Sequence, residues 1–194
     1  MTAHGWGERF CRLLGVRREE AGAALAGFAF IYCLFTGYFM LRPLRETMGV
    51  TAGGDRLQWL FSAAFVVMLL AAPLFGEASA RVPRVRLVDW VYGFFALDML
   101  VFAGLFAIAP DNVWSARVFF VWLSVFNLFV VSVTWSLMAD VFRTEQAKRL
   151  FAFIATGASV GGLSGPLFGG LLQPAGLMVL AALLLGLTLL ASDI

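Results

Sequence analysis

The feature that constrains this chain most is a series of uncharged, apolar runs of about twenty residues, the length that a helix needs to cross a bilayer. Charged residues make up 13% of the 194 residues, against roughly 25% in an average soluble domain, and they cluster between the runs. Each run is apolar around most of its circumference, as expected for helices that face lipid or one another. The sequence therefore predicts an all-α, polytopic integral membrane protein.

Six transmembrane spans are predicted, at residues 21–41, 57–75, 87–109, 113–138, 150–173 and 174–191. A basic tail of residues 1–20 precedes this bundle, and a stub of residues 192–194 follows it. Because the tail is polar and basic, we expect the first span to act as the insertion signal in place of a cleavable signal peptide. Cys11 and Cys33 are expected to be free thiols, since nothing in their spacing suggests a disulfide framework.

The basic residues fall unequally on the two sides of the predicted spans. One side, formed by the N-terminal tail and the second-to-third and fourth-to-fifth connections, carries Arg9, Arg12, Arg17, Arg18, Arg81, Arg84, Arg86, Arg143, Lys148 and Arg149. The other side carries Arg42, Arg45, Arg56 and Arg117. The positive-inside rule therefore places both termini in the cytoplasm.

Glycines recur every four residues in the fifth span, at Gly157, Gly161, Gly165 and Gly169, and Gly170 follows them. On a helix this spacing forms a nearly straight groove without side chains, along which a neighbouring helix can approach closely. Pro166 lies in the same run, where it removes a backbone donor and bends the helix. The run predicts a bundle whose helices pack closely and shift against one another, as they do in transporters.

A pair of arginines closes the first span, where Tyr38 is followed by Arg42, Pro43, Arg45 and Glu46. Arg42 and Arg45 would share a helix face, and Pro43 favours a break in the helix at this point. Two guanidinium groups beside a broken helix can bind phosphate or carboxylate. The alternative is that both side chains extend to lipid headgroups from a helix end.

Asp98 lies in the middle of the third span with apolar residues on both sides. A carboxylate at that depth is costly unless it is paired, protonated or open to a water-filled cavity. Asp98 is therefore a candidate for proton or cation coupling, together with Glu46, and the alternative is a structural pair with an arginine from another span. Asp89 and Arg117 lie nearer the span ends and are interpreted as helix-end charges.

The fourth span carries polar and aromatic positions that either line a cavity or join helices by hydrogen bonds, with Asn127 and Trp135 as candidate substrate contacts. Asp140 begins a charged strip that ends at Arg149. Glu145 and Arg149 are four residues apart, which favours a helical turn. The strip is either a solvated segment or part of a cytoplasmic gate held by charge pairs.

The pattern Gly161-x-x-x-Gly165-Pro166-x-x-Gly169-Gly170 resembles the fifth-helix motif of antiporters of the major facilitator superfamily. In the fuller motif a glycine stands nine residues earlier, where this chain has the small residue Ala152. Arg117 is similar to the superfamily's fourth-helix arginine, although Val121 replaces the glycine that usually follows it. The resemblance covers the whole chain as topology and is most specific in the fifth span.

The segment after the second span is similar to the superfamily's cytoplasmic signature through Gly76, Arg81 and Arg84. Ala80 stands where the signature has an aspartate, and Pro83 where it has a second glycine. The resemblance thus implies a gate from which one carboxylate is missing, with Glu77 or Asp140 as its replacement.

A narrower resemblance is carried by residues 37–49, GYFMLRPLRETMG, and residues 135–142, WSLMADVF. These segments are similar to a bacterial branch of the superfamily that is related to ATP/ADP translocases. That resemblance implies exchange of an anion or nucleotide across a bacterial inner membrane, with Arg42 and Arg45 as phosphate-binding candidates. It also implies that the six spans are one half of the fold, completed by a C-terminal half or by a second copy.

Other function classes are less compatible with the sequence. The net charge of +2 is too small to indicate nucleic-acid binding, and no cofactor is expected. The single histidine, His4, lies in the tail, and the sequence has no metal-ligand cluster or nucleophile–base pair, so an enzyme is not expected. The remaining alternatives are a non-transporting membrane assembly or scaffold protein and an inactive truncated half-transporter.

Overall fold

The computed structural model describes residues 17–53, 57–142 and 144–192, all of whose regular structure is helical. A short 3₁₀ turn, Arg18–Glu20, leads into the first of the six α-helices that these ranges contain. In chain order these are α1 (Ala21–Thr51), α2 (Leu57–Arg81), α3 (Arg84–Ile108), α4 (Val113–Val141), α5 (Thr144–Gly169) and α6 (Pro174–Ser192). The all-α prediction is confirmed.

Helices α1 to α5 are each long and apolar enough to cross a membrane. Helix α6 is also apolar, but at 19 residues it is shorter than the other five described helices. The expectation of an integral membrane protein is therefore supported by five helices, and the sixth predicted span corresponds to a shorter helix.

The sequence suggested that the first helix breaks at Pro43. Helix α1 instead continues through Pro43 to Thr51. A proline inside a helix removes one backbone donor, so the carbonyl of Phe39, four residues before Pro43, loses its helical partner. One turn after the proline, the hydroxyl of Thr47 donates to the Pro43 carbonyl at 3.1 Å. The predicted broken-helix anion site is therefore wrong in its backbone, because Arg42 and Arg45 both lie on continuous helix.

The predicted basic loop between the second and third spans is reduced to Val82 and Pro83. Arg81 is the last residue of α2, and Arg84 is the first residue of α3. The signature-like arginines thus lie on helix ends and not in a loop. At the other side of the bundle, the Asn112 side chain caps α4 by accepting from the backbone N–H of Trp114 at 2.9 Å.

Contacts between the helices establish their relative directions. Along the α1–α5 interface the residue numbers increase in the same direction on both helices, from Phe28 beside Gly157 to Met40 beside Gly169. Along the α3–α4 interface the order is reversed, from Tyr92 beside Thr134 to Phe106 beside Phe119. Helices α1 and α5 are therefore parallel and α3 and α4 antiparallel, as expected if successive helices cross in alternate directions.

The packing pattern of the helices is unchanged when α1, α2 and α3 are exchanged with α4, α5 and α6, respectively. Helix α1 packs on α5 and α6, and α4 packs correspondingly on α2 and α3. The remaining extensive interfaces, α1 with α4 and α3 with α6, are each unchanged by the exchange. Helices α1–α3 and α4–α6 thus form two sets whose members have corresponding neighbours, with α1 and α4 at the centre, although the α1–α5 interface is much more extensive than the corresponding α2–α4 interface.

The apolar core lies along these two central helices and the helices beside them. Fully buried side chains include Ile31, Met40 and Leu41 of α1, and Phe119, Phe120 and Phe126 of α4. Helix α2, by contrast, buries only Leu60 and Ala64. Most of the α2 surface is therefore presented outward by the described chain.

Candidate functional site

The glycine groove of α5 lies directly against the backbone of α1. A Cβ placed on Gly157 would lie 2.7 Å from the Phe28 carbonyl oxygen, and one on Gly161 would lie 2.9 Å from the Tyr32 carbonyl oxygen. A Cβ on Gly165 would lie 2.8 Å from the Thr36 carbonyl oxygen. Real Cβ atoms essentially never approach so closely, so three consecutive turns require glycine.

The last two glycines of the motif, Gly169 and Gly170, are less constrained by neighbouring atoms. A Cβ on Gly169 would meet the Met40 carbonyl oxygen at 3.3 Å, and one on Gly170 would have only its own helix at 3.9 Å. Pro166 lies inside α5 on the exposed side of the helix. Ala152, at the position of the missing motif glycine, is also exposed. The close approach therefore extends over Gly157, Gly161 and Gly165 and relaxes at Gly169.

A hydroxyl pair accompanies the groove at its centre. The side-chain oxygens of Thr36 on α1 and Ser164 on α5 are 3.4 Å apart, and the Thr36 side chain is buried. Such a hydrogen bond between membrane helices contributes roughly 0.6–2 kcal/mol. Backbone packing and this pair together hold α1 and α5 in one register.

A small hollow between α1 and α4 brings together two of the predicted substrate contacts. Tyr38 and Asn127 both line it, with apolar neighbours that include Phe35 and Val131. Asn127 and Val131 are one turn apart on α4, and Trp135 lies one turn further along the same face. Trp135 is half-buried, and its ring is 6.0 Å from that of Phe151 on α5.

The two predicted anion-binding arginines differ in their surroundings. Arg42 is exposed, with its guanidinium carbon 5.9 Å from the centre of the Phe39 ring. Arg45 is largely buried, with 16% of its side chain exposed and its guanidinium carbon 4.3 Å from the Phe120 ring. Arg42 is therefore accessible to a ligand, whereas Arg45 is held against α4.

Further contacts hold Arg45 in this position. A second ring, that of Phe61 on α2, lies 5.7 Å from its guanidinium carbon. Nη1 lies 3.9 Å from a carboxylate oxygen of Glu46, which is itself exposed. The Nε atom is buried, and among the described residues it has no hydrogen-bond partner. Cation–π attraction to two rings is thus the main interaction of this guanidinium group.

Asp98 has a different partner from the arginine that the sequence suggested. Its Oδ2 accepts a hydrogen bond of 2.9 Å from the indole N–H of Trp122 on α4. The residues that line the Tyr38–Asn127 hollow do not include Asp98. The mid-span carboxylate is therefore placed at the α3–α4 interface and not beside the two predicted substrate contacts.

The signature-like residues of the predicted gate are distributed over helix ends. Arg81 forms an ion pair with Glu77 one turn earlier on α2. A Cβ on Gly76 would meet no atom of the described residues within 4 Å, so packing among those residues does not require this glycine. Asp140 is exposed in the last turn of α4. The side chain of Arg84 lies outside the described residues, and so does Arg143.

Sequence reasoning missed a polar contact that joins the start of α1 to the start of α5. Nη2 of Arg149 lies 3.0 Å from Oε1 of Glu20, which also accepts from Nε2 of Gln146 at 3.2 Å. Burial raises the pKa of the Glu20 carboxyl, but hydrogen bonds from Gln146 and the Arg17 backbone together with the Arg149 charge outweigh it and hold the pKa below 4.5. We call these three side chains the Glu20 clamp.

A second missed contact is the buried hydrogen bond of 2.6 Å between the hydroxyls of Tyr92 on α3 and Thr134 on α4. Both side chains are fully buried, and Thr134 also donates to the Val130 carbonyl. Polar side chains inside two predicted spans were a signal for this pair, because such groups need a partner in a membrane.

No family model matches the chain. No curated protein and no solved structure matches it either.

Proposed function

We propose that the protein is a secondary active transporter that works by alternating access, and that its six helices are one half of a fold of the major facilitator type. Its substrate is a small anion, of which a nucleotide is one example, and the transport mode is exchange. In this proposal the chain lies in a bacterial inner membrane with both termini in the cytoplasm.

The observation that carries the proposal is the exchange symmetry of the helix packing. The interfaces of α1 with α5 and α6 correspond to those of α4 with α2 and α3. Repeated sets of helices are typical of secondary transporters, whose substrates bind near the middle of the membrane where the repeats meet. The two central helices, α1 and α4, are also the helices that carry Tyr38 and Asn127.

The substrate contacts follow from this arrangement. Arg42 lies one turn from Tyr38 on α1 and is exposed. Among the residues that the structure describes, Arg42 forms no ion pair, so its charge is available to an anion. A planar guanidinium group binds phosphate or carboxylate in a bidentate manner. We therefore assign Arg42 to the anion, with Tyr38 and Asn127 contacting other parts of the substrate and Arg45 supporting the helix end.

The proposal includes a second set of helices, either a C-terminal half or a second copy of the chain. Exposed polar groups such as Arg42 are costly against lipid. The exposed surface of α2 and the outward face of α5, which includes Leu163 and Leu167, are available for that partner.

Exchange in proteoliposomes tests the function. Vesicles that contain the protein and are preloaded with unlabelled phosphate or ATP are expected to take up the radiolabelled anion faster than preloaded vesicles without the protein. Arg42→Gln should reduce uptake at least about tenfold, as for loss of a charge-assisted contact of roughly 1.5–3 kcal/mol. Arg86→Gln, which changes an exposed arginine on α3, is the matched control and should leave uptake unchanged.

Two results would count against the proposal. Equal uptake by vesicles with and without the protein would contradict transport of these anions. Equal uptake by Arg42→Gln and Arg86→Gln would contradict the assignment of Arg42.

A further inference from the structure

A cleft of about 990 Å³ lies between α2 and α3, with α4 as its floor. Its volume is at the upper end of the roughly 300–1,000 Å³ found for small-molecule sites. Its lining consists of aliphatic and aromatic side chains and a single arginine, and among the described residues that line it Arg117 is the only charged one.

The cleft has the shape of a wedge. Helices α2 and α3 are joined by only two residues, and they make little contact with each other beyond that connection. The α3 residues that line the cleft lie between Leu87 and Phe95, in its first turns, whereas the α4 residues extend from Trp114 to Phe129. The helices therefore diverge from Val82 and Pro83 toward the end at which Arg117 lies.

Arg117 presents one side of its guanidinium group for an additional ligand. Its Nε and Nη2 donate to the Ala52 carbonyl at 3.3 and 3.2 Å. Its guanidinium carbon is 5.1 Å from the Trp114 ring. Within the described ranges no carboxylate pairs with it and Nη1 has no hydrogen-bond partner. The positive charge at the wide end of an apolar cleft is thus unneutralised there.

We propose that this cleft binds an anionic glycerophospholipid, with the phosphate at Arg117 and an acyl chain along the α4 floor. From Arg117 to Phe129 the floor extends about 18 Å at 1.5 Å per residue. That length slightly exceeds the ~15 Å half-thickness of a bilayer's hydrocarbon core, so one leaflet's chain fits along it. Trp59 and Trp114 lie at the arginine end, at the level that tryptophan prefers in a membrane interface.

The site is separate from the proposed substrate contacts. None of Tyr38, Arg42 and Asn127 lines the cleft. Trp122, which forms part of the wall, donates its indole N–H to Asp98. A bound acyl chain would exclude water from this hydrogen bond and stabilise the α3–α4 interface around the mid-span carboxylate.

Two matched pairs of variants test the site by native mass spectrometry of protein released from nanodiscs that contain phosphatidylglycerol. Ala63→Phe fills the cleft, whereas Ala72→Phe changes an exposed alanine elsewhere on α2. Arg117→Gln removes the charge, whereas Arg86→Gln removes an exposed charge outside the cleft. We expect each cleft variant to retain about tenfold less phosphatidylglycerol than its control, a factor that corresponds to about 1.4 kcal/mol.

Further probes distinguish a lipid from a free phosphate or a purely apolar ligand. Diacylglycerol, which lacks the phosphate, should be retained equally by wild type and Arg117→Gln. Millimolar inorganic phosphate should fail to displace phosphatidylglycerol; its displacing the lipid would overturn the proposal in favour of a free-phosphate site. Equal phosphatidylglycerol retention within either variant pair would also overturn it.

A measurement without cleft-filling variants guards against misfolding. Phosphatidylglycerol brominated on its acyl chain should quench the fluorescence of wild type more than that of Trp122→Phe. Brominated phosphatidylcholine, whose headgroup is zwitterionic, should show a smaller difference between the two proteins. The same difference for both lipids would exclude recognition of the anionic headgroup.

Discussion

Gly165 and Gly76 are both helical glycines in predicted spans, but the space beside them differs. A Cβ on Gly165 would lie 2.8 Å from the Thr36 carbonyl oxygen and 2.9 Å from the Met40 amide nitrogen. A Cβ on Gly76 would meet no atom of the described residues within 4 Å. The sequence motif assigned both residues to packing or gating, and the structure gives a packing requirement only to Gly165.

We expect Gly165→Ala to destabilise the protein by about 1–3 kcal/mol, the usual cost of overpacking, because the added methyl group meets backbone atoms. Gly76→Ala should instead stabilise it, by up to about 1 kcal/mol from helix propensity. Unfolding in mixed detergent micelles with increasing dodecyl sulfate measures both free energies. Equal stability of the two variants would contradict close packing at the groove.

The arginines show why single positions were harder to predict than the groove. Glycines spaced four residues apart lie on one face of a helix, and the sequence therefore indicated correctly which face of α5 forms the groove. The environment of the Arg45 side chain depends on Phe61 and Phe120, which lie on two other helices. Contacts between helices are not encoded in local spacing, so the sequence placed Arg42 and Arg45 together although their environments differ.

At the scale of helices, the ends were the least predictable feature. Spans were located by apolar residues, so α1 was expected to end at residue 41, yet the helix continues to Thr51. Similarly, α5 begins at Thr144, before the predicted start of its span. Helical hydrogen bonds continue into polar sequence where a tertiary contact fixes the terminal turn, as the Glu20 clamp does at the start of α5.

The Glu20 clamp predicts a pH dependence for the junction of α1 and α5. Because the pKa of Glu20 is held below 4.5 in the folded protein, the carboxylate stabilises the fold above that pH. This stabilisation is lost as the pH falls through the lowered value. We expect the melting temperature of wild type to exceed that of Glu20→Gln at pH 7, and the difference to shrink below pH 4.5.

The control for this experiment is Glu19→Gln, which changes the exposed neighbour of Glu20. It should follow the wild-type melting temperature at every pH. A Glu20→Gln difference that is constant from pH 7 to pH 3.5 would show that ionisation of Glu20 does not contribute.

At the scale of the whole molecule, the order of the helices could be predicted and their packing could not. Alternation of apolar and charged segments is a local property, so the number and sequence of helices followed from it. The exchange symmetry between α1–α3 and α4–α6 and the wedge between α2 and α3 depend on which helix faces which. Such choices are made by surfaces far apart in the chain, and nothing in the local pattern specifies them.

Orientation in the membrane gives the prediction at this scale. With Cys11 and Cys33 replaced by serine, Asp111→Cys places a thiol in the exposed α3–α4 connection and Arg86→Cys places one in the first turn of α3. A membrane-impermeant maleimide added to intact cells should label the Asp111→Cys thiol and reach the Arg86→Cys thiol only after permeabilisation. The reverse pattern would contradict the positive-inside assignment.

The four-residue repeat on both sides of the α1–α5 interface makes its register directional. If α5 moved one turn, about 5.4 Å, so that Gly161 faced Phe28, then Gly165 and Gly169 would face Tyr32 and Thr36. The opposite step would bring the Phe153 side chain to the place that Gly157 occupies against the Phe28 carbonyl oxygen. In one direction glycine would therefore replace glycine at three contacts with α1, whereas in the other a phenylalanine side chain would meet the Phe28 backbone, so a one-turn shift of this interface is sterically asymmetric.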